Sequence, residues 1–409
     1  MQGKNKPFLR YLDTEIRSGI AKKHSALILG PRQVGKTTLV QDILAKVQNK
    51  ADYLLQNPAV RIALETDPAR VIREVEALVG TPIIFVDEAQ KVPEVFDAAQ
   101  LLIDKKKAAF IFTGSSARKL KRSGVNLLPG RIKRFHLDPL LWGELGFIQG
   151  STIPALAMKN INEQRAFAFH ESLIFGALPG IITLPKKERE DFLRSYTQIY
   201  LEEEIRAEAL ARKIGAFSQF LELAAAESGT SPNITKLSNE SGVSQPALKE
   251  FYQILEDTLV VERVEPYRKN ARKRILSSSR FYFFDIGVRN ALARLPLSDN
   301  TVNAQKGILF EHAVMLEIIR RVRALNKNYR VCFWRTSGGA EVDCVVDLGT
   351  SVIPIEIKAS RIVSPSEIKG LKNFLVDYKN IATEGYVITL GDKKEKLAEN
   401  ITALPWFHL

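Results

Sequence analysis

The chain has 409 residues, a length that suggests two to four domains at roughly 100–200 residues each. Hydrophobic residues make up 45% and charged residues 26%, a balance that excludes disordered, collagen-like and coiled-coil chains. Lys and Arg number 59 against 46 Asp and Glu, and the net charge of +13 points to polyanionic partners, nucleic acid before acidic membrane surfaces.

The N-terminal residues 1–6 are basic but lead into no apolar run, which argues against a signal peptide. No stretch approaches the ~18 apolar residues of a membrane helix, so the expected compartment is the cytoplasm, with no membrane partner. From there, short apolar runs at 26–29, 52–55, 83–86, 109–112 and 134–137 alternate with helical patterns such as 37–47 and 92–103. Buried strands alternating with helices are the signature of a parallel α/β sheet.

The first strand runs into Gly30-Pro31-Arg32-Gln33-Val34-Gly35-Lys36-Thr37, followed by Thr38 and a helical pattern. This is the P-loop pattern in its strand–loop–helix context. The glycines let the backbone turn its N–H groups toward phosphate oxygens, and the helix N-terminus adds positive charge. Lys36 is expected to reach the outer phosphates of ATP, and the Thr37 hydroxyl to ligate magnesium. The strand at 83–86 ends in Asp87-Glu88 at the edge where such sheets bind ligands. Asp87 would hold the magnesium ion through water, and Glu88 would act as general base on the attacking water. The strand at 109–112 ends in Thr113-Gly114-Ser115, where Thr113 or Ser115 is placed to hydrogen-bond that water. Arg131 is a candidate for neutralising transition-state charge, in cis or from a neighbouring subunit of a homo-oligomer. It also belongs to a basic cluster of Arg118, Lys119, Lys121, Arg122, Arg131, Lys133 and Arg134.

From 162 to 228 the pattern is helical. Residues 234–259 then read as helix, tight turn and helix: Gly242 suits the turn, Ser244 the N-cap and Pro246 the first turn. Stretches 259–264 and 281–284 are candidate wing strands. Between them, Arg268, Lys269, Arg272, Lys273 and Arg274 form a loop suited to following a DNA phosphate backbone without reading bases. The last hundred residues return to strands, at 330–334, 341–347, 352–357 and 384–388. Cys332 and Cys344 lie within them, too few for a disulfide framework or a four-ligand zinc site, and are expected in the core. Asp343 and Glu356 fall near the ends of adjacent strands. Period-2 alternation puts Glu356 and Lys358 on one face, and Glu311 sits on a helix upstream. Carboxylates beside a lysine are a set that can bind one or two magnesium ions and activate water for phosphodiester cleavage, with Lys358 stabilising the attacked phosphate.

Gly30–Thr37, Val86-Asp87-Glu88-Ala89-Gln90-Lys91-Val92-Pro93, Gly114-Ser115-Ser116-Ala117 and Gly130-Arg131, in this order, resemble the prokaryotic AAA-type ATPases that carry a C-terminal domain of unknown function. Leu178-Pro179-Gly180 and Tyr200-Leu201-Glu202-Glu203-Glu204-Ile205 resemble that family's connecting helical region. The resemblance implies a three-layer αβα P-loop ATPase core (1–160), a helical lid or connector (161–230), a winged-helix segment (231–285) and an α/β nuclease-like domain (286–409). The last resembles the PD-(D/E)XK nuclease superfamily through Asp343, Glu356, Lys358 and the helix acid Glu311, with Val342 in place of the proline of that name. Two functions follow: a magnesium-dependent ATPase acting on DNA, with or without cleavage, or a nucleotide-dependent switch or scaffold with an inert nuclease-like domain.

Overall fold

The computed structural model describes residues 8–115, 128–162, 167–207, 214–268 and 278–409; for 200–207 and 214 it describes the backbone alone. Two compact units divide the chain, Met1–Leu140 with Ile254–Val260, and Leu141–Gln253 with Val261–Leu409.

In the first unit the strands are β1 (Ser25–Leu29), β2 (Lys50–Leu54), β3 (Ile83–Asp87), β4 (Ala109–Gly114) and β5 (Ile132–His136). They form one sheet in the order β2-β3-β4-β1-β5, parallel at every pairing. The helices are α1 (Tyr11–Ala21), α2 (Lys36–Leu44), α3 (Pro58–Thr66), α4 (Arg70–Glu76) and α5 (Val95–Asp104). β3 reads Ile-Ile-Phe-Val-Asp and β4 Ala-Phe-Ile-Phe-Thr-Gly, each buried at every position. Such unbroken apolar runs need cover on both faces of a sheet. Phe112 stacks on Phe96 of α5 at 4.5 Å and on Phe110 at 5.4 Å. Each buried ring contributes about 2–3 kcal/mol of transfer free energy. The order matters for chemistry: β4 lies between β1 and β3, so its C-terminal end separates the loop after β1 from the carboxylates after β3.

The second unit opens with α6 (Phe169–Phe175), α7 (Pro179–Ile182), α8 (Lys186–Ala207) and α9 (Ile214–Ala226), the helical stretch the sequence announces. α10 (Ile234–Ser241) and α11 (Gln245–Asp257) follow, and Gly242 between them holds φ 66°. Phe217 and Phe220 of α9 pack on Phe251 of α11 at 4.8 and 5.3 Å. The remaining elements are β6 (Val261–Pro266), β7 (Arg280–Phe283), α12 (Ile286–Leu292), α13 (Asp299–Ala304), α14 (Lys306–Ala324), β8 (Arg330–Arg335), β9 (Glu341–Asp347), β10 (Val352–Lys358), α15 (Lys369–Asp377), β11 (Gly385–Thr389), β12 (Glu395–Ala398) and β13 (Ile401–Pro405). The strands make one eight-stranded sheet, β12-β13-β11-β10-β9-β8-β6-β7.

Two expected boundaries do not coincide with breaks in this architecture. The first unit reaches Leu140, not 160. β6 and β7, the expected wing strands, are not a separate ribbon: β6 pairs in parallel with β8 through Glu265↔Cys332 and Pro266↔Phe333, so the sheet runs across residue 285. The hairpin β12–β13 was not expected, because its edge strand, Glu-Lys-Leu-Ala, has neither alternation nor a buried position. Both cysteines are free and buried, as expected.

Candidate functional site

Gly30 follows β1, and a Cβ there would fall 2.2 Å from the Leu137 carbonyl oxygen. The loop can seat against the end of β5 only without a side chain at that position. Gly35 holds φ 92° at the N-cap of α2, a region costly for other residues. Pro31 and Val34 are buried, Arg32 is half-buried, and Gln33 and Thr38 are exposed. Lys36 is buried, and its ammonium donates to the carbonyls of Gly30 at 2.9 Å and Pro31 at 2.8 Å. Burial pushes its pKa down to about 8, against the pull of Glu88 and Asp87.

The three strand ends meet as their order requires. Thr37 Oγ1 donates to the Asp87 carboxylate at 2.9 and 3.1 Å. Thr113, fully buried on β4, donates to Asp87 Oδ1 at 2.5 Å and accepts the Glu88 N–H at 3.0 Å. Burial raises the Asp87 carboxyl, while the bonds from Thr113 and Thr37 lower it. Glu88 sits at φ 56° and ψ 47°, a left-handed conformation that costs a non-glycine residue roughly 1–2 kcal/mol. The bond from its N–H to Thr113 helps hold it there. Ser115 Oγ donates to Glu88 Oε2 at 3.0 Å, and Gln90 donates to the same oxygen. Lys36, Thr37, Asp87, Glu88, Thr113 and Ser115 are therefore brought together. Thr37 and Asp87 offer a hydroxyl and a carboxylate, hard oxygen donors that suit magnesium.

Arg131 is not brought to this place. It directly precedes β5, whose Ile132 pairs with Ser25 at the start of β1. It therefore lies at the sheet edge opposite the P-loop, ion-paired with Asp104 at the end of α5. A role in cis is corrected on this ground. In the basic cluster, Lys133 pairs with Glu15, and Arg118, Lys119, Lys121 and Arg122 lie outside the described residues.

In the second unit the four expected residues share one neighbourhood. Lys358 pairs with Glu356 Oε1 at 2.7 Å, and Asp343 Oδ2 accepts the Ile357 N–H at 2.9 Å. Glu356 Oε2 is buried and has no hydrogen-bond partner among the described residues. Desolvation pushes the Glu356 carboxyl up to about 8 and Glu311 up to about 7, and the Asp343 charge adds to both. Glu311 is already engaged, because Tyr282 donates to its Oε1 at 3.0 Å and Arg280 Nη1 lies 3.7 Å from the same atom. Arg280 also binds Glu341 and stacks over Phe333 at 4.5 Å. Among the described residues, Glu311, Asp343 and Glu356 do not bring one oxygen each within 4.8 Å of one another. The Glu356–Asp343 side has donors that fit a cation; the Glu311 side has its own.

Sequence reading missed Gln90, Arg280 and Tyr282. Alternation puts residues 280 and 282 on one face of β7, but nothing local in the sequence ties that face to Glu311. Of the loop cations, Arg268 is exposed; Lys269, Arg272, Lys273 and Arg274 lie outside the described residues. No helix among those described is long and apolar enough to cross a membrane.

Residues 22–146 match the family model of an AAA domain. Residues 166–299 and 306–409 match two models described as domains of unknown function, DUF8612 and DUF4143. Uncharacterized proteins of Mycobacterium tuberculosis and Mycobacterium bovis are each 25% identical over 397 residues, 95% of this chain and 82% of theirs. Among solved structures, the Walker-type ATPase of Pyrococcus abyssi is similar with a TM-score of 0.46 and 13% identity, covering 71% of this chain and 97% of that one. A protein from Vibrio cholerae aligns with a TM-score of 0.18 and 11% identity, over 90% and 89% of the two chains. The AAA match covers most of the first unit, including the loop 30–37 and the strand ends at Asp87 and Thr113.

Proposed function

We propose that this protein is a magnesium-dependent ATPase whose second unit engages DNA. The observation that carries the first part is the chain Thr37–Asp87–Thr113–Glu88, closed by Lys36 on the loop carbonyls. Lys36 exchanges those carbonyls for phosphate oxygens. Glu88, fixed by Ser115 and Gln90, accepts a proton from the attacking water. Thr37 and Asp87 hold magnesium, which supplies charge neutralisation at the phosphates. A malachite-green assay with and without magnesium tests this: Lys36→Ala and Glu88→Gln should each abolish turnover, and retained turnover in Lys36→Ala would refute the assignment.

DNA engagement rests on the helix–turn–helix of α10 and α11 and on the basic run after Arg268. A gel shift whose affinity falls steeply with salt would support it, and no shift at low salt would end it. One observation favours the second reading, a nucleotide-driven switch with a C-terminal site that does not cleave. Arg280 and Tyr282 already satisfy Glu311 from within. Magnesium-dependent nicking lost in both Asp343→Ala and Lys358→Ala would overturn that reading.

A further inference from the structure

We propose that Arg10 is a positioning residue for the P-loop: it pins the Val34 carbonyl and so keeps the loop in its nucleotide-accepting shape when Lys36 leaves the loop for phosphate. The proposal rests on the nucleotide reading above.

Arg10 directly precedes α1, twelve positions before residue 22, where the AAA match begins. It is buried, at 6% exposure. Its Nη1 donates to Val34 O at 2.8 Å and its Nη2 to Asp138 O at 2.6 Å. A planar guanidinium is suited to bridging two fixed acceptors in this way. The two acceptors lie 24 and 128 residues away along the chain, so the bridge is tertiary and not a local cap.

Lys36, which also holds loop carbonyls, behaves differently. Lys36 holds the carbonyls of Gly30 and Pro31, and phosphate binding requires it to release both. It asks nothing of Arg10. The Asp138 end of the bridge is also the place where the loop is seated. Leu137 N–H donates to Leu29 O at 2.7 Å, and the Leu137 carbonyl is the atom a Cβ on Gly30 would strike. Arg10 thus ties the middle of the loop to the segment that already supports its start. A P-loop binds through backbone N–H groups; a carbonyl held outside the loop fixes the peptide plane whose N–H belongs to Gly35.

The arginine within α1 makes a control. Arg17 reaches Asp42 at 2.8 Å and the Ile43 carbonyl at 3.3 Å on α2, and does not touch the loop.

The test is the affinity of the full chain for a fluorescent ATP analogue with magnesium, with steady-state turnover and thermal unfolding measured on the same samples. Arg10→Met should weaken nucleotide binding roughly 10- to 100-fold, the worth of a hydrogen bond to a charged group. The rise in KM should exceed any fall in kcat. Arg10→Lys, which keeps the charge but loses the fork, should fall between, and Arg17→Met should bind as wild type. Wild-type affinity in Arg10→Met overturns the proposal, as does a loss in Arg17→Met equal to that in Arg10→Met. If Arg10→Met does not fold, wild-type affinity in Arg10→Lys overturns it instead. A wild-type chain that binds no nucleotide defeats the nucleotide reading itself, which separates the two failures.

Discussion

Thr113 donates its hydroxyl hydrogen to Asp87 Oδ1 at 2.5 Å, and Thr113 Oγ1 itself accepts the N–H of Glu88 at 3.0 Å. One side chain on β4 therefore sets the position of both acids at the end of β3. Thr113→Val keeps the shape and removes both bonds. A bond to a charged group is worth about 1.5–3 kcal/mol, so turnover at saturating nucleotide should fall roughly 10- to 100-fold. Thr113→Ser should retain most of it. Wild-type turnover in the valine variant would detach Thr113 from the chemistry.

Lys36 gives a pH dependence. Its ammonium loses its proton near pH 8 in the free protein, and a bound polyanion favours the charged form. Nucleotide binding above that pH therefore takes up a proton, and affinity should weaken by up to about tenfold per pH unit as pH rises past 8. Below about pH 7 it should be flat on this account. Lys36→Arg should lose the dependence, since a guanidinium stays charged. Titrations of wild type and this variant across the range decide it; a parallel slope in both would assign the effect to another group.

Arg131 is expected to be silent within one subunit. It lies at the far edge of the sheet, paired with an exposed Asp104. Arg131→Ala should leave turnover per chain within about twofold of wild type under conditions where the protein is monomeric. A loss that appears only as protein concentration rises would assign the residue to a neighbouring subunit's site. A loss in the monomer would contradict the placement.

Much of this was legible because the chemistry sits at strand ends. The strands expected at 83–86 and 109–112 occur as Ile83–Asp87 and Ala109–Gly114, since unbroken apolar runs bounded by polar residues have few alternatives. The P-loop motif carried its own context, so Lys36, Thr37, Asp87 and Glu88 were found together. The position of Arg131 relative to its own P-loop was not legible, because adjacency to a glycine motif says nothing about which end of a parallel strand it occupies; register does. Arg10 and Arg280 were hidden for a related reason. Each acts on residues far away in sequence, 24 and 128 positions for Arg10, 31 and 61 for Arg280, and a lone arginine carries no local pattern. Strands do occur near the two expected wing positions, as Val261–Pro266 and Arg280–Phe283, but the parallel pairing of β6 with β8 depends on a partner some 67 residues on (Glu265↔Cys332), which periodicity does not encode.

The carboxylates of the second unit make its stability fall as pH rises. Glu311 and Glu356 have folded-state values of about 7 and about 8, above the ordinary 4.5. Between those values the folded state holds more protons than the unfolded one. Their stabilising contribution is complete below about pH 4.5 and lost as pH rises through 7 to 8. The three tryptophans, Trp142, Trp334 and Trp406, all lie in this unit, so their fluorescence follows its unfolding and not that of the P-loop unit. The midpoint temperature should drop between about pH 6 and pH 8.5, and Glu356→Gln should remove most of that drop. Arg280 opposes it: its guanidinium faces Glu311 and Glu341 with side-chain exposure of only 10%. Arg280→Gln leaves those half-buried charges without their partner, a loss of about 1–3 kcal/mol. The deficit should be largest at high pH and shrink at low pH, where Glu311 is protonated. Millimolar magnesium should restore part of the loss if Asp343 and Glu356 take a cation. An Arg280→Gln deficit that is the same at both ends of the pH range would show that the arginine acts through its packing on Phe333 and not through its charge.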